Sequence, residues 1–416
     1  MKKKITILLT FVLIMALSMF INATEIVSPA LNIIAKNNTM IKSGLIHNDI
    51  YFCEQDFKKC LGVNEIDSVT VETIPSATDG VLKLGTLNVM QGQTINKEYL
   101  SILRFVPATE KIYNAEFVFS CGGTEIPCIV KYLDEVNYAP AFAEEHRKVR
   151  TYSNVSLYGS VRANDPEGDI TDLQVVSYPK HGTLAVTDTS YGNYMYTPTS
   201  GYVGEDEFIV VARDNYGNYS TVQTIKVDVE KNRVFFADTV GHWCENAAIC
   251  LYENGAAEAA SYQDGMVFCP DDSITREEFV TMVMKALGVT TLTDSNTSFS
   301  DNSSIDVKYR PYIATAQRMG YINGKEENGV MYFDPKGSIT KSEAAVVINN
   351  IIGYEEGEYV TTFADDGAIP TWAKSAVYAL TSAGVFNGDG KGIIAPSAIL
   401  SRAQTVQMLY NVLEQE

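Results

Sequence analysis

The segment Ile274-Thr275-Arg276-Glu277-Glu278 recurs twice later in the chain. Its counterparts are Ile339-Thr340-Lys341-Ser342-Glu343 and Leu400-Ser401-Arg402-Ala403-Gln404. In each copy a hydroxyl residue is followed three positions later by Glu or Gln, which is the pattern of a capping box at a helix N-terminus. Apolar residues continue at helical spacing after all three, so each segment predicts the start of an amphipathic helix.

Three units of similar length contain these helix starts. They open on Phe236-Ala237-Asp238, Phe299-Ser300-Asp301 and Phe363-Ala364-Asp365, which are spaced 63 and 64 residues apart. Amphipathic helices related in this way bury their apolar faces best against one another, so we expect one compact three-part domain. The predicted bounds of the units are 234–290, 297–353 and 361–416.

These units resemble S-layer homology domains, the modules that hold proteins non-covalently on bacterial cell walls. In that family a Phe-x-Asp opening leads to a Trp, a helix that ends in Gly, and an Ile-Thr-Arg-Ala-Glu helix start. The first and third units carry Trp243 and Trp372, each twelve residues before a Gly. In the second unit Lys308 takes the Trp position, beside Tyr309, and Lys341 replaces the motif Arg.

The resemblance implies binding of a secondary cell-wall polysaccharide, often pyruvylated in that family, in grooves between adjacent units. An Arg at a helix N-terminus offers paired donors beside the positive end of the helix dipole, which suits a carboxylate. Trp faces suit sugar rings and Asp suits sugar hydroxyls, but core packing of the Trp and turn capping by the Asp are equally open. The expected polysaccharide-binding residues are Arg276, Arg402, Lys341, Asp238, Asp301, Asp365, Trp243 and Trp372.

Lys341 is expected to make the middle site weaker or altered, because it keeps the positive charge of the motif Arg but lacks the planar fork of donors.

Residues 24–230 have the pattern of an all-β region, with short β-branched and aromatic segments separated by Gly, Pro, Asn and Asp. Leu103-Arg104-Phe105-Val106-Pro107 recurs as Tyr194-Met195-Tyr196-Thr197-Pro198, and a Phe follows ten residues after the Pro in both copies. Two successive β-sandwich modules are therefore predicted, at 24–136 and 137–230.

The second module resembles bacterial Ig-like and cadherin-like repeats through Asn164-Asp165-Pro166-Glu167-Gly168-Asp169 and Pro179-Lys180-His181-Gly182-Thr183-Leu184. The first module keeps only the middle and end of this pattern. The expected fold class is thus multidomain, with an N-terminal all-β part of two Ig-like or cadherin-like sandwiches followed by a mostly α part of three repeats. Since some cadherin-like repeats bind Ca²⁺, Asp165, Glu167 and Asp169, with Asp206 or Asp214, are candidate ligands; the same run is also good turn chemistry.

The composition excludes some classes of partner. The chain has 51 acidic and 32 basic residues and a net charge of -19, which disfavours nucleic acids and anionic membrane surfaces. Four scattered His residues and the lack of HExxH or GxSxG motifs predict no catalytic residues and no enzyme, although a glycosidase carboxylate pair leaves no local signature.

The first residues have the features of a secretory signal peptide, predicted at 1–23 with cleavage after Ala23; a retained membrane helix is the alternative. After cleavage no membrane contact is expected. The seven Cys leave at least one thiol without a disulfide, and a bridge between Cys121 and Cys128 and fully reduced thiols are both open.

Together these features predict a secreted protein at the cell wall or S-layer surface of a Gram-positive bacterium. The repeats would bind the wall polymer, and the β modules would form a spacer or an adhesive arm whose partner the sequence does not identify. The alternatives are a wall-anchored glycoside hydrolase and a structural S-layer subunit. No cofactor is predicted apart from the candidate calcium ion.

Overall fold

The computed structural model describes residues 39–108, 113–263, 265–354, 363–386, 388 and 392–414. The predicted signal peptide, residues 1–23, lies outside these ranges. The chain divides into two compact units between Asp134 and Glu135. Within the described ranges, no helix combines the length and the apolar character needed to cross a bilayer.

The described part of the first unit, residues 39–108 and 113–134, contains two β-sheets and one α-helix. Its strands are β1 (Met40–Leu45), β2 (Ile50–Tyr51), β3 (Ser68–Thr73), β4 (Gly80–Leu84), β5 (Leu87–Asn88), β6 (Thr94–Asn96), β7 (Leu103–Pro107), β8 (Tyr113–Cys121) and β9 (Thr124–Leu133). The strand orders are β1-β9-β8-β3-β6 and β2-β7-β4-β5. The sheets share one core, in which the rings of Phe105 and Phe117 stack at 5.9 Å.

Helix α1 (Glu54–Leu61) interrupts the strands of the first unit, and the sequence pattern does not predict it. Asp56 completes a capping box at its N-terminus, and Gly62 ends it in the left-handed conformation with φ 64°. Phe57 and Cys60 face the core. Two helical turns are too short to show a clear 3.6-residue period, which explains the omission.

No disulfide forms among the seven cysteines, all of which the structure describes. In the β8–β9 hairpin Cys121 lies opposite Thr124, whereas Cys128 lies opposite Phe117. The two sulfur-bearing positions are therefore not cross-strand partners, and the bridge considered between them is absent.

The second unit begins with another pair of facing sheets. Its strands are β10 (Ala141–Phe142), β11 (His146–Tyr152), β12 (Leu157–Ser160), β13 (Ala163–Asn164), β14 (Thr171–Ser177), β15 (Gly182–Asp188), β16 (Asn193–Pro198), β17 (Gly204–Asp214) and β18 (Gln223–Glu230). The sheet orders are β11-β18-β17-β14 and β12-β16-β15, with β10 paired to β13.

The two β modules share a strand order. The order β1-β9-β8-β3 corresponds to β11-β18-β17-β14, and β2-β7-β4 corresponds to β12-β16-β15. β1 runs parallel to β9 in the first module, and β11 runs parallel to β18 in the second. The predicted mostly β N-terminal region is confirmed, and the recurrence seen in the sequence corresponds to repeated topology.

Short helices, small hairpins and long loops form the rest of the second unit. The helices are α2 (Glu245–Glu253), α3 (Arg276–Ala286), α4 (Arg310–Arg318), α5 (Lys341–Ile352), α6 (Lys374–Ser382) and α7 (Arg402–Leu413). The hairpin strands are β19 (Ala260–Tyr262), β20 (Gly265–Val267), β21 (Lys325–Glu327) and β22 (Val330–Tyr332). Because loops and hairpins separate every pair of helices, the expectation of a mostly α part is not confirmed.

The capping residues at the helix starts of the repeats, and the glycines that end helices there, have the roles that the sequence predicts. The hydroxyls of Thr275, Thr340 and Ser401 accept hydrogen bonds from the third backbone amide of α3, α5 and α7. The glycine after the first helix of each repeat adopts φ of 70° to 75°, a left-handed conformation that ends the helix. These glycines are Gly255, Gly320 and Gly384.

The second β module and the repeats share one continuous core. At their junction, Tyr410 of α7 and Asn246 of α2 donate hydrogen bonds to the carbonyl of Arg150 in β11, at 2.5 and 3.0 Å. Tyr152 in turn donates to the Glu253 carboxylate at 2.9 Å. This module and the repeats therefore form one body.

Glu414, at this junction, is predicted to make the stability of the folded chain depend on pH. Burial raises its pKa to about 7, against the opposing charges of Arg150 and Arg147. Between its ordinary pKa of 4.5 and about 7, the folded chain binds more protons than the unfolded chain, so stability falls as the pH rises through that window. We expect a slope of at most about 1.4 kcal/mol per pH unit from this group. Urea unfolding at pH 5 and pH 7 measures it, and the same slope in Glu414→Gln would contradict the assignment.

Candidate functional site

The motif cations join each repeat to the next. Each one begins the second helix of its repeat and donates a hydrogen bond to a loop carbonyl of the following repeat. The bonds run from Arg276 Nε to Phe333, from Lys341 Nζ to Ile394 and from Arg402 Nε to Phe268, at 2.9, 2.8 and 2.9 Å. The third repeat thus contacts the first, and the three repeats close into a ring.

Backbone hydrogen bonds follow the same cyclic pattern. The first two amides of each of these helices, which have no partner within the helix, donate to loop carbonyls of the following repeat. The pairs are Arg276 to Gly337, Glu277 to Pro335, Lys341 to Ala398, Ser342 to Pro396, Arg402 to Asp272 and Ala403 to Pro270, at 2.8 to 3.1 Å. The next repeat therefore caps each helix.

The two motif arginines have little exposed surface. The Arg276 side chain is 8% exposed and pairs with the Glu343 carboxylate at 3.0 Å. Arg402 is 11% exposed, pairs with the Glu278 carboxylate and donates to the Glu258 carbonyl. Burial acts to raise the pKa of Glu343, but hydrogen bonds from Thr340 and the charge of Arg276 lower it below its ordinary value. The guanidinium groups of Arg276 and Arg402 therefore stabilise the ring of repeats. Polysaccharide binding by these two residues stays a prediction.

The opening Asp of each repeat holds the loop that accepts the motif cation. Each carboxylate accepts hydrogen bonds from two consecutive backbone amides. They are Phe268 and Cys269 for Asp238, Phe333 and Asp334 for Asp301, and Ile394 and Ala395 for Asp365, at 2.7 to 3.0 Å. The second residue of each pair is a non-glycine with φ of 51° to 59°, a costly conformation that the carboxylate stabilises. This arrangement is loop capping; contacts of these Asp with sugar stay a prediction.

We expect Asp301→Ala to lower the free energy of unfolding by about 2 to 4 kcal/mol, because two charge-assisted hydrogen bonds are lost from a loop that joins two repeats. Urea unfolding measures the effect. Glu327→Ala, on the exposed strand β21, is the matched control and is expected to change stability by less than about 0.5 kcal/mol. Equal losses of stability in the two variants would contradict the role of the Asp301 carboxylate in holding this loop.

Trp372 lies beside an open groove and is not a core residue. It is 60% exposed. The groove encloses about 570 Å³ between the N-terminus of α5 and the loop before α7, and Lys325, Thr340, Glu343 and Ile399 also line it. We call it the Trp372 groove.

Trp243 lies in a second groove, of about 550 Å³, and is 37% exposed. Gln404, in the first turn of α7, lines this groove as Glu343 of α5 lines the Trp372 groove. The opposite wall comes from the second β module, through residues such as Tyr158 and Asn193. We call it the Trp243 groove.

Ion pairs occupy the corresponding place between the first and second repeats. Lys308, at the Trp position, donates to the Glu258 carboxylate at 2.6 Å, and this bond lowers the pKa of Glu258. Lys336 bridges Asp306 and Glu277 of α3. Lys341, at the start of α5, instead donates to the Ile394 carbonyl of the third repeat. The two departures of the middle repeat therefore contact different neighbouring repeats. A weaker or altered middle site through Lys341 stays a prediction.

The structure brings three of the candidate calcium ligands together. Oxygen atoms of Asp165, Asp169 and Asp214 lie within 4.8 Å of one another, and Glu167 is not part of this group. Burial raises the pKa of Asp165. Asp206 lies elsewhere, where it accepts hydrogen bonds from the backbone of Lys180 and His181 and from Tyr196. Calcium binding stays a prediction.

A Cys and a His that the sequence analysis did not pair are in contact. His242 Nδ1 lies 3.1 Å from Cys244 Sγ, and its Nε2 lies 3.7 Å from Asp271. Burial raises the pKa of the Cys244 thiol to about 12, so the sulfur stays protonated near neutral pH and is a poor nucleophile. A Cys two residues after a His is a short spacing that could have indicated the contact.

Comparisons with known proteins agree with the repeats and the β fold. Residues 298–345 and 362–406 match the S-layer homology domain family, and residues 137–228 match the bacterial Ig domain family. Among solved structures, fibronectin(III)-like modules of CbhA from Clostridium thermocellum align with 49% of this chain and 95% of theirs, at 15% identity and a TM-score of 0.23.

Three curated relatives are similar over part of the chain. Amylopullulanase of Thermoanaerobacterium thermosulfurigenes is 25% identical over 64% of this chain, and exoglucanase XynX of Acetivibrio thermocellus is 29% identical over 45%. S-layer protein EA1 of Bacillus anthracis is 28% identical over 41%. This chain spans 14%, 17% and 19% of their respective lengths. From the family matches, the chain contains a bacterial Ig domain at 137–228, followed by S-layer homology domains at 298–345 and 362–406.

Proposed function

We propose that this protein is held non-covalently on a bacterial cell wall by its repeats, which bind a wall polysaccharide, while the β modules serve as a spacer or an adhesive arm. The observation that carries the proposal is the Trp372 groove. It combines an exposed indole face with hydroxyl groups and charged side chains at a helix N-terminus, a combination that suits a sugar chain with an acidic substituent.

Lys325 is the cation in this groove that is best placed to meet such a substituent. Its side chain is 45% exposed, and its ammonium group lies 3.5 Å from Asp334 and 3.7 Å from Glu343. Both side chains of the Lys325–Asp334 pair are about half exposed, so this pair contributes little and an anionic sugar group can replace it at low cost. The closed ring keeps the two walls of the groove at a fixed separation, which lowers the entropy cost of binding.

A structural S-layer subunit and a wall-anchored hydrolase are the alternatives. The relatives include proteins named as S-layer proteins and as glycan-degrading enzymes, and they match this chain only over a small share of their own length. The proposed anchoring step is the same in all three cases.

Co-sedimentation of the full chain with bacterial cell walls tests the proposal. We expect saturable binding to intact walls, loss of binding after the secondary polysaccharide is extracted, and competition by the released polysaccharide. Binding that survives extraction would contradict the proposed ligand, and absence of binding to walls of several S-layer-bearing species would contradict the anchor.

A further inference from the structure

Strand β15 (Gly182–Asp188) lies at an open edge of the bacterial Ig domain. In the sheet order β12-β16-β15, its pairing partner among the described strands is β16, which leaves the other side of its backbone unpaired. Open edges pair readily with strands of other chains, and proteins usually protect them with charged residues or by keeping them short. Residues 182–187 are uncharged, so β15 lacks both forms of protection.

The other long edge strands of the two described sandwiches carry charged side chains. β1 contains Lys42, β14 contains Asp172, and β11 contains Arg147, Lys148 and Arg150. The remaining sandwich edges, β2, β5, β6 and β12, have four residues or fewer. Among these edges β15 is therefore the one that is both long and uncharged over nearly its whole length.

The pairing of β15 with β16 decides which backbone groups of β15 are available. The Thr199 amide donates to the His181 carbonyl at 2.8 Å, so every second residue from His181 onward bonds to β16. Pro198, which has no N–H, lies opposite Gly182, as expected for a pair without hydrogen bonds. The residues between the bonded ones direct their N–H and C=O groups away from β16. They are Gly182, Leu184 and Val186.

The two ends of β15 carry opposite charges. Lys180, just before the strand, is exposed, and its ammonium group has no partner among the described residues. Asp188, the last residue, accepts two backbone amides through Oδ1, at 3.0 Å each, whereas its Oδ2 has no partner there. If two copies of β15 pair antiparallel about Leu184, Lys180 of each copy lies opposite Asp188 of the other. Opposite charges directly across two strands stabilise their pairing.

The surface around this edge favours close approach of a second copy. The exposed side chains of β15 are short; they are Thr183, Ala185 and Thr187. The Leu173 amide donates to the Thr189 carbonyl at 2.9 Å, so β14 begins beside the end of β15. Ile170 and Tyr178, 67% and 63% exposed, lie at opposite ends of β14. Antiparallel pairing of β15 brings Tyr178 of each copy towards Ile170 of the other.

We propose that two copies of this chain associate through β15, antiparallel about Leu184, so that the β12-β16-β15 sheets of two bacterial Ig domains join into one sheet. Both copies use the same edge, so the interface is two-fold symmetric and closes as a dimer. The backbone groups of Gly182, Leu184 and Val186 supply its hydrogen bonds, and the Lys180–Asp188 pairs fix its register. This inference goes beyond the proposed anchoring and does not depend on it, since it assigns a partner to the bacterial Ig domain.

Sedimentation equilibrium of the full chain over a range of concentrations tests the inference. We expect a reversible monomer–dimer equilibrium, with hydrogen exchange of residues 182–188 slowing as the dimer forms. Lys180→Glu places like charges at both ends of the interface and is expected to raise the Kd of the dimer about tenfold. Lys148→Glu, the same change at a 68% exposed side chain on edge strand β11, is the matched control and should leave the Kd unchanged.

Ala185→Lys provides a second variant, at an exposed position on the solvent face of β15. A Lys in the middle of an edge strand opposes strand addition, so we expect this variant to stay monomeric with an unchanged circular dichroism spectrum. The inference would be overturned by a wild-type chain that stays monomeric, by a dimer that neither Lys180→Glu nor Ala185→Lys weakens, or by equal weakening in Lys148→Glu. Exchange at residues 182–188 that does not depend on concentration would also overturn it.

Discussion

Arg402→Ala is expected to lower the free energy of unfolding by about 3 to 5 kcal/mol. The guanidinium group pairs with the Glu278 carboxylate, donates to the carbonyls of Phe268 and Glu258, and lies over the Phe268 ring at 4.7 Å. Its removal leaves a largely buried carboxylate without its main partner and opens the junction between the third and first repeats.

Urea unfolding of the full chain measures this loss, and Arg318→Ala is the matched control. Arg318 pairs with Asp294 at 2.6 Å, but both side chains are far more exposed, so its removal is expected to cost less than about 1 kcal/mol. Arg402→Lys should recover part of the stability, since Lys341 makes the equivalent bond to Ile394 in the natural ring. Equal losses in Arg402→Ala and Arg318→Ala would show that the ring does not depend on the motif cation.

Trp372→Ala is expected to weaken binding to cell walls by tenfold or more, which corresponds to about 1.4 kcal/mol, while the free energy of unfolding stays within about 0.5 kcal/mol of the wild-type value. The exposed indole contributes little to the core, so its loss removes contact surface for the sugar without disturbing the ring. Co-sedimentation and urea unfolding are measured on the same preparation.

Tyr262→Ala provides the control for this variant, because Tyr262 is an exposed aromatic residue on the hairpin of the first repeat that does not line the Trp372 groove. We expect wild-type wall affinity in Tyr262→Ala. Equal weakening by both substitutions would point to nonspecific adsorption through exposed aromatic side chains.

The elements of the fold that local sequence signals specify were predictable. The hydroxyl residue and the Glu or Gln three positions later identify the starts of α3, α5 and α7, because a capping box depends on neighbouring residues only. The repeated Pro-to-Phe spacing likewise reflects a repeated pair of strands in the two β modules. Helix α1 was missed because two turns carry too little periodicity.

The roles of the charged site residues were not predictable from spacing. An Arg at a helix N-terminus suits a ligand carboxylate and a neighbouring Glu equally well, and only the closed ring brings Glu343 to Arg276. The junction between β11 and α7 depends on a hydrogen bond between residues 260 positions apart, which no local pattern encodes. The same limit applies to Lys308 and Lys341, which belong to one repeat but face different neighbours.

The most direct test of the proposed anchor is the fluorescence of Trp372 in the Trp243→Phe variant, titrated with the solubilised secondary polysaccharide of a wall that the full chain binds. The account predicts a saturable change in emission with an affinity that matches wall binding, and a smaller response after the acidic substituents of the polymer are removed. Unchanged Trp372 emission, while the same variant still sediments with walls, would contradict the assignment of the polysaccharide to this groove.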